Sequence, residues 1–375
     1  MNKERNPWLK QIQKDEQMLD SYDIGETIEG LARKLDKKPS EILKLNSNEN
    51  FFMPINLLRS LLREVIEDSD PRIYPRDEYD ELKEALGRYV HVSPEQIVIG
   101  TGSDQMIDLV SRALLRPGDE ALSIEPTFSI YERSVKIQQA IYTPIPLRED
   151  FSLDVDKMLA SATPKTKLLF LCSPNNPTAN QFKLEEIQCL VEEFRGLVAI
   201  DEAYVEFAEH SIVKIINEYE NLIILRTFSK AFGIASLRVG YAVSNTYLAS
   251  TLADKFQMPY TVSSIGLRMG LKLLDKIEVI KAVIKELKSE RSRLISRLNK
   301  IDGVTAFNSD TNFVLISLKK SSNEVCESLL RKGIIVRNTG SILNLKDCIR
   351  VSIAPSIMMD AFIAMLREAL GENDG

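Results

Sequence analysis

Arg226-Thr227-Phe228-Ser229-Lys230-Ala231-Phe232 follows an apolar run, Leu222-Ile223-Ile224-Leu225. Such a short run predicts a buried parallel strand whose carboxyl end delivers the polar residues into a crevice. A lysine held near apolar neighbours and cations loses part of its preference for the charged form, so the Lys230 amine can attack an aldehyde. Two nearby hydroxyls and Arg238 suit a phosphate. These residue types predict a site for an aldehyde-bearing phosphate ester, a description that pyridoxal 5'-phosphate meets.

The composition limits the classes of protein to which the chain can belong. With 375 residues, of which 44% are hydrophobic and 27% charged, it can bury one large core or two unequal ones. The formal net charge of -6 argues against a nucleic-acid partner, because affinity for a phosphate backbone depends on concentrated positive charge. Any anionic ligand must therefore be bound by local arginines.

Cysteine and histidine are scarce and scattered. The four cysteines show no CxxC spacing, so we expect reduced thiols in or near the core. With only His91 and His210, neither close to other candidate ligands, no metal site is expected. The polar opening is followed by no apolar signal core, and no run approaches the length of a membrane span. We therefore expect a cytoplasmic protein without a membrane partner.

The alternation of apolar and helical segments predicts an α/β fold. Predicted strands cover residues 96–99, 121–124, 141–146, 168–172, 197–200, 222–225, 312–318, 334–337 and 348–353. Predicted helices cover about 55–67, 78–90, 106–115, 277–298, 323–332 and the segment from about 359 onward. Three of the apolar runs end in polar clusters, which a parallel sheet would collect along one edge.

Three regions are predicted along the chain. Residues 1–45 form a polar arm that packs on the small domain or on a partner subunit, and residues 46–275 form a large cofactor-binding domain. Residues 276–375 form a smaller α/β domain that begins with the long amphipathic helix 277–298.

A glycine turn, Gly100-Thr101-Gly102-Ser103-Asp104-Gln105, joins a predicted strand to a helix. Amide donors and the helix dipole favour an anion at such an N-terminus, although many turns of this kind only connect elements. The third glycine of a dinucleotide-binding fingerprint is replaced by Gln105. The turn therefore favours a phosphate site, and a nucleotide-binding oxidoreductase remains a weaker alternative.

A pyridoxal phosphate site needs a lysine, a carboxylate against the pyridinium nitrogen, a donor to the ring hydroxyl, an apolar face and phosphate donors. Asp201 is the candidate carboxylate, Asn176 and Tyr204 are candidate donors, and Phe128 is the candidate face. The ordinary alternatives are a helix N-cap for Asp201, a turn for Asn176 and a core position for Phe128. Candidate phosphate ligands are Ser103, Asp104, Thr227, Ser229 and Arg238, the last of which could instead be a structural ion-pair partner.

Four motifs that occur in order resemble the fold-type-I pyridoxal-phosphate-dependent aminotransferases. They are Ser173-Pro174-Asn175-Asn176-Pro177-Thr178, Asp201-Glu202-Ala203-Tyr204, Thr227-Phe228-Ser229-Lys230-Ala231-Phe232 and Leu237-Arg238-Val239-Gly240. Within that family the chain looks most like the histidinol-phosphate aminotransferases. The resemblance implies a large domain with a mostly parallel central sheet flanked by helices, and a smaller α/β domain.

The resemblance also implies roles for individual residues. Lys230 would form the Schiff base with the cofactor, and Asp201 would pair with the pyridine nitrogen. Tyr74 would reach the cofactor phosphate of a partner subunit, which requires a homodimer. Arg350 would bind the α-carboxylate of glutamate and Arg337 the substrate phosphate, since guanidinium groups bind either anion in a bidentate manner. The matching segment 45–50 places Asn48 among the substrate-binding residues.

The implied activity is transamination between L-histidinol phosphate and 2-oxoglutarate in histidine biosynthesis, with Lys230 shuttling the proton. An aromatic or other amino-acid aminotransferase, a threonine-phosphate decarboxylase and a non-catalytic regulator of the same fold remain alternatives.

The chain departs from the family pattern at two places. Ala179 stands where glycine is usual, and residues 351–356 read Val-Ser-Ile-Ala-Pro-Ser where a glycine-threonine pair and acidic residues are usual.

Overall fold

The structure is a computed structural model that describes residues 6–16, 19 and 25–371. Its helices are α1 (Pro7–Glu16), α2 (Ile28–Leu35), α3 (Ile55–Glu67), α4 (Asp77–Val90), α5 (Gly102–Leu114), α6 (Ile130–Ile137), α7 (Val155–Ala160), α8 (Leu184–Glu193), α9 (Thr246–Thr251), α10 (Ser264–Leu274), α11 (Ile277–Leu298), α12 (Ser322–Arg331) and α13 (Ser356–Leu370). Its strands are β1 (Leu43–Lys44), β2 (Ile97–Gly100), β3 (Glu120–Glu125), β4 (Ile141–Pro146), β5 (Thr166–Cys172), β6 (Leu197–Asp201), β7 (Leu222–Thr227), β8 (Gly240–Ser244), β9 (Val304–Ala306), β10 (Phe313–Leu318), β11 (Ile334–Ile335), β12 (Arg337–Ile342) and β13 (Leu345–Ser352).

A seven-stranded sheet with the order β2-β8-β7-β6-β5-β3-β4 forms the centre of the molecule. Its neighbouring strands run parallel except for β8, which is antiparallel to both β2 and β7. The central strands are apolar and buried because helices cover both faces of the sheet. The predicted α/β class with a mostly parallel central sheet is confirmed.

Successive residues of β5 contribute to two different cores. Leu168 and Phe170 face a core shared with α5 and α6, whereas Leu169 and Leu171 face the larger core that continues into the C-terminal layer. This alternation follows from the two-residue period of a strand. The register pairs Cys172 with Asp201, so the carboxyl ends of β5 and β6 lie side by side.

A second, antiparallel sheet has the order β12-β13-β10-β9 and packs with α11, α12 and α13. The two-residue strand β1 pairs in parallel with β11, so residues 43 and 44 join this C-terminal layer. Helix α11 has the bounds expected from its spacing. The division into an arm, a large domain and a small domain stays a prediction.

The structure differs from the local expectations at several places. Helix α5 begins at Gly102, four residues before the predicted start, because the Gln105 side chain accepts a hydrogen bond from the Thr101 amide at 2.6 Å and closes the first turn. The predicted strand 334–337 is two strands, since the chain leaves β1 after Ile335 and pairs with β13 from Arg337. Strand β8 was not predicted from its short apolar run.

The cysteines are dispersed through the fold, and its helices differ in length. Cys172, Cys189, Cys326 and Cys348 are all free, and Cys172 and Cys348 are buried. Within residues 6–16 and 25–371, the helices include none that combines the length and the apolar character needed to cross a membrane.

Candidate active site

The carboxyl ends of β5, β6 and β7 open into a cavity of about 270 Å³ that is lined by residues of both large sheets. Every site residue predicted from the sequence lines this cavity except Tyr74. These residues are Asn48, Ser103, Asp104, Phe128, Asn176, Asp201, Tyr204, Thr227, Ser229, Lys230, Arg238, Arg337 and Arg350. The fold therefore brings residues from distant parts of the chain to one site, and their individual roles remain predictions.

Lys230 lies in the turn after β7, and its Nζ atom donates a hydrogen bond to the carbonyl oxygen of Ser47 at 3.1 Å. The same atom lies 5.7 Å from the centroid of the Tyr204 ring, within range of a cation–π contact. Burial is the main cause that lowers the pKa of Lys230 to about 8, and the positive charge of Arg350 lowers it further. A larger fraction of this amine is therefore neutral near neutral pH than in an exposed lysine.

Asp201 ends β6 and is 2% exposed. Its Oδ2 atom accepts a hydrogen bond from the Tyr131 hydroxyl at 2.7 Å, and Oδ1 accepts one from the Ala203 amide at 3.0 Å. Burial raises the pKa of Asp201 to about 6, and these two donors work against that rise by favouring the ionised form. The cavity thus has a carboxylate that is mostly ionised at pH 7.

The start of α5 and the start of β8 approach closely at the predicted phosphate site. A Cβ atom on Gly240 would lie 2.4 Å from the carbonyl carbon of Gly102, and one on Gly102 would lie 2.7 Å from Arg238 Nη2. Gly102 also has φ 77°, a conformation that favours glycine. These glycines keep space open where the first amides of α5, near Ser103 and Asp104, meet the Arg238 guanidinium.

The other predicted phosphate ligands are close to the same point. Thr227 Oγ1 donates to Ser229 Oγ at 3.0 Å, and it accepts a hydrogen bond from the Ser229 amide at 3.1 Å. Arg238 Nη2 lies 2.9 Å from Asp104 Oδ2, so the ion pair considered as an alternative for Arg238 is present. Both partners are nearly half exposed, which leaves the guanidinium accessible to an anion from the cavity.

Two arginines reach the cavity from the small sheet, where Arg337 of β12 is the cross-strand partner of Arg350 of β13. Arg350 donates hydrogen bonds to Asn176 Oδ1 and to the carbonyl oxygen of Asn46. Its guanidinium carbon lies 5.2 Å from the centroid of the Phe313 ring. Because Arg350 occupies Asn176 Oδ1, the Nδ2 group is the donor that Asn176 offers to a ligand.

The segment 46–50 connects the central sheet to the small sheet at the cavity. The Asn48 amide donates to Ser352 Oγ at 2.8 Å, and Asn48 Nδ2 donates to the Tyr204 hydroxyl at 2.9 Å. Asn312 Nδ2 donates to the Asn48 carbonyl oxygen at 2.8 Å. Ser352, which belongs to the departure from the family pattern after Arg350, therefore fixes the segment that carries Asn48.

The turn around Ala179 adopts the conformation for which glycine is usual in the family. Ala179 has φ 68° and is completely buried. Its amide donates to the Asn175 carbonyl oxygen at 2.9 Å, and its own carbonyl accepts from the Asp310 amide at 2.7 Å. The backbone at this position therefore has the positive φ that favours glycine, and the alanine costs about 1 kcal/mol relative to glycine in this conformation.

Tyr74 lies outside the cavity of its own chain. Its side chain is 74% exposed, and its ring stacks on Tyr260 with 4.7 Å between the centroids. A role toward the cofactor requires a second subunit, so the implied role of Tyr74 stays a prediction.

Several cavity residues and neighbours were not predicted from the sequence. Ser47 accepts the Lys230 hydrogen bond, Glu49 and Cys172 line the cavity, and Tyr131 contacts Asp201 from behind. No local pattern singled out Tyr131, because its contact with Asp201 joins α6 to the end of β6, 70 positions further along the chain.

The donor set suits pyridoxal phosphate. A lysine with a lowered pKa, an ionised buried carboxylate and an aromatic ring line one cavity. The same cavity contains the predicted phosphate site at the start of α5, formed near Gly102, Ser103 and Arg238 and called the phosphate cradle. The cradle would be filled by a methyl group at Gly102. The fold and this arrangement define the class of fold-type-I pyridoxal-phosphate-dependent transferases.

The profile of the family described as aminotransferase class I and II matches residues 40–366. The chain belongs to this family. It is 39% identical over 331 residues to the histidinol-phosphate aminotransferase of Thermoanaerobacter sp. (strain X514), a match that covers 87% of this chain and 93% of that protein.

Two solved structures extend the comparison. The histidinol-phosphate aminotransferase of Sinorhizobium meliloti in complex with pyridoxal-5'-phosphate has a TM-score of 0.84 at 27% identity, over 95% of this chain and 96% of that one. The L-threonine-O-3-phosphate decarboxylase of Porphyromonas gingivalis has a TM-score of 0.77 at 23% identity, over 88% of this chain and 100% of that one. At this identity the second likeness concerns the fold alone.

Proposed function

We propose that this protein transfers an amino group between L-histidinol phosphate and 2-oxoglutarate with pyridoxal phosphate as cofactor, a step of histidine biosynthesis. The observation that carries the proposal is the pair Arg337 and Arg350 in the same cavity as Lys230 and Asp201. Two guanidinium groups suit substrates whose anions differ, a phosphate in one and carboxylates in the other. The names of relatives that match most of the chain support the same substrates.

The bound cofactor supplies an aldehyde carbon that takes up the amino group and a ring that delocalises the electron pair left by the α proton. In this proposal Asp201 holds the proton on the ring nitrogen, and Lys230 binds the cofactor covalently at rest. Once released, Lys230 Nζ would take the proton from the α carbon of the substrate and deliver it to the former aldehyde carbon of the cofactor. Asn176 and Tyr204 donate to the ring oxygen, and Phe128 covers a face of the ring.

The phosphate of the cofactor is assigned to the cradle at the start of α5. The amides near Ser103 and Asp104 lie at a helix N-terminus, where the helix dipole favours an anion. The hydroxyls of Thr227 and Ser229 and the guanidinium of Arg238 complete the donor set.

We further propose a homodimer in which Tyr74 contacts the cofactor phosphate of the partner subunit. Support comes from the exposed apolar surface around this residue, where Ile73 and Met258 are 67% and 69% exposed and Tyr260 stacks on Tyr74.

The division into an arm of residues 1–45, a large domain of residues 46–275 and a small domain of residues 276–375 belongs to the same proposal. So does a cytoplasmic location.

The test is to mix the cofactor-loaded protein with single amines and to follow the absorbance of the bound cofactor. Histidinol phosphate and glutamate are expected to convert the cofactor to its amine form, whereas phenylalanine and aspartate are not. Indifference to histidinol phosphate would remove the proposed substrate, and release of CO₂ from O-phosphothreonine would identify a decarboxylase. A protein that stays colourless with added pyridoxal phosphate would refute the whole proposal, and a coloured protein that ignores glutamate would be a non-catalytic regulator.

Arg337→Gln tests the assignment of the substrate phosphate. The KM for histidinol phosphate should rise at least tenfold while the KM for glutamate changes little, because a charged hydrogen bond is lost to one substrate only. Arg331→Gln on the exposed face of α12 is the matched control and should behave as wild type. Equal effects of Arg337→Gln on both substrates would contradict the assignment.

A further inference from the structure

The buried carboxylate of Asp201 receives one side-chain hydrogen bond that no cavity residue supplies. Tyr131 Oη donates to Asp201 Oδ2 at 2.7 Å, while the other oxygen accepts from the Ala203 amide. The Tyr131 side chain is fully buried, and Tyr131 does not itself line the cavity. It therefore contacts the carboxylate from the protein side and leaves the cavity side of Asp201 to a ligand.

Packing fixes the Tyr131 ring on two sides. The ring stacks on Phe170 with 4.9 Å between centroids and planes inclined by 9°. The Phe128 ring meets Tyr131 in an edge contact with 5.8 Å between centroids and an angle of 87°. Aromatic contacts of both kinds are favourable, so the hydroxyl is held in one position before any ligand binds.

The hydroxyl of Tyr131 acts as a donor throughout the working pH range. Burial, followed by the charge of Asp201, raises the pKa of Tyr131 well above its ordinary value, so the phenol keeps its proton. A donor that cannot ionise favours the charged form of its acceptor. The titratable groups that face Asp201 are Tyr131 of α6, Cys172 of β5, Asp104 of α5, Lys230 after β7 and Tyr204 after β6.

We propose that Tyr131 is a positioning residue for this site: its hydroxyl holds the Asp201 carboxylate ionised and aimed at the cavity, and its ring supports Phe128. The proposal rests on the proposed function, because it assigns Asp201 to the ring nitrogen of pyridoxal phosphate. A carboxylate that lost this donor would be protonated more readily in its buried setting. It would then bind the protonated ring less well.

Tyr131→Phe tests the proposal because it keeps both ring contacts and removes the hydroxyl alone. The dissociation constant of pyridoxal phosphate is measured for wild type and Y131F from pH 6 to pH 9. At pH 7 the variant should bind roughly tenfold more weakly, because without its donor a larger fraction of Asp201 is protonated, and the difference should shrink toward pH 9 as Asp201 ionises in both proteins. Lys230 titrates in both proteins, so its effect cancels in the ratio of the two dissociation constants at each pH.

A second measurement reads the ring nitrogen directly. With ¹⁵N-labelled pyridoxal phosphate, the chemical shift in wild type at pH 7 should be that of a protonated ring, and in Y131F it should move toward the unprotonated value. A Y131F protein with wild-type affinity and an unchanged shift would overturn the proposal, as would a loss of affinity that is the same at every pH. Tyr142→Phe, which removes the hydroxyl of a partly buried tyrosine of β4 outside the cavity, is the matched control and should match wild type.

A second variant separates the loss of the hydroxyl from a failure to fold, and the behaviour of wild type separates this inference from the proposed function. If Y131F does not fold, 3-fluorotyrosine at position 131 keeps the ring and the donor and should bind the cofactor at least as tightly as wild type at pH 7; weaker binding would overturn the proposal. If wild type itself binds no pyridoxal phosphate, the proposed function and this inference fail together. If wild type binds it and Y131F matches wild type, only the inference fails.

Discussion

At the scale of single residues, burial acts on Lys230 and Asp201 in opposite directions. It lowers the pKa of Lys230 to about 8 and raises the pKa of Asp201 to about 6, because a poorly solvated site disfavours either charge. Opposed shifts of this kind are typical of sites that carry out acid–base chemistry near pH 7. They also mean that each residue, when charged, destabilises the folded chain.

Replacement of Asp201 by asparagine should stabilise the protein without its cofactor. The folded pKa of Asp201 lies above its unfolded value of 3.8, so ionisation opposes folding, and this cost grows as pH rises from about 4 to about 6 and is complete above that. Asp201→Asn should therefore raise the free energy of unfolding by about 1 to 2 kcal/mol at pH 8 and by less at pH 5.

Urea unfolding at the two pH values measures this difference. Asp310→Asn serves as a control. The Asp310 carboxylate accepts a hydrogen bond from the Gln181 amide and lies near Lys288 and Arg291, so its charge does not oppose folding and its removal should give no increase at either pH. A destabilised Asp201→Asn protein at pH 8 would contradict the expected cost of the buried charge. The same variant should lose most of its transaminase activity, a trade between stability and function that active sites often show.

At the scale of elements, the ends of β6 and β7 are joined by a buried ion pair. Arg226, before Thr227, donates to Glu202 Oε2 through Nε at 3.0 Å and Nη2 at 2.8 Å. Both side chains are at most 6% exposed, and Glu202 also accepts from the Ile212 amide. The pair therefore connects the residue after Asp201 to β7, the strand that leads to Lys230.

Glu202→Ala should destabilise the fold by about 3 to 5 kcal/mol, because it leaves the Arg226 charge buried without its partner. Thermal unfolding of the variant measures the effect. Glu278→Ala removes an ion pair with Lys281 that is mostly exposed, and it should change stability by less than about 0.5 kcal/mol. A Glu202→Ala protein as stable as that control would contradict the expected cost of burying the Arg226 charge without its ion-pair partner.

The contact between α5 and β8 gives a second prediction for an element. Gly240→Ala would place a methyl carbon 2.4 Å from the Gly102 carbonyl carbon, so the two backbones must separate at the phosphate cradle. We expect pyridoxal phosphate to bind at least tenfold more weakly, as measured by fluorescence titration. Gly270→Ala in α10, where the nearest atoms are 3.4 Å or more away, should bind the cofactor as wild type does.

At the scale of the whole molecule, the site depends on both sheets and, in the proposal, on a second subunit. The segment 46–50 contacts the central sheet through Tyr204 and Lys230 and the small sheet through Ser352. Tyr74, by contrast, is exposed at a surface that we propose to be the dimer interface. A complete site therefore needs the correct packing of three distant segments and, in the proposal, two chains.

Mixed dimers of Tyr74→Ala and Lys230→Ala test the position of Tyr74. If Tyr74 acts in the partner's site, each variant alone should be nearly inactive, whereas a mixed dimer contains one site with both native residues and should regain activity after co-expression. No recovery in mixed dimers would place Tyr74 in the site of its own chain, and a Tyr74→Ala protein that is active alone would remove the residue from catalysis. Tyr247→Ala, at a tyrosine that is 81% exposed, is the control and should stay active alone.

The sequence by itself determined the α/β class, the strands β5 to β7 and the residues that follow them. These features depend on local patterns, since a short apolar run predicts a buried strand and parallel strands place their carboxyl ends at one edge. Asp201 and Lys230 could therefore be assigned to one site without coordinates. The resemblance to a family added Arg337, Arg350 and Tyr74, which no local pattern singles out.

Only the tertiary structure decided the contacts between residues that are far apart in sequence. It paired Tyr131 with Asp201 and Arg350 with Asn176, and it divided the predicted strand 334–337 between two sheets. It also showed that Ala179 has a positive φ. The physical reason is that burial, hydrogen-bond partners and backbone conformation at these positions are set by the packing of distant segments, which periodicity along the chain does not encode.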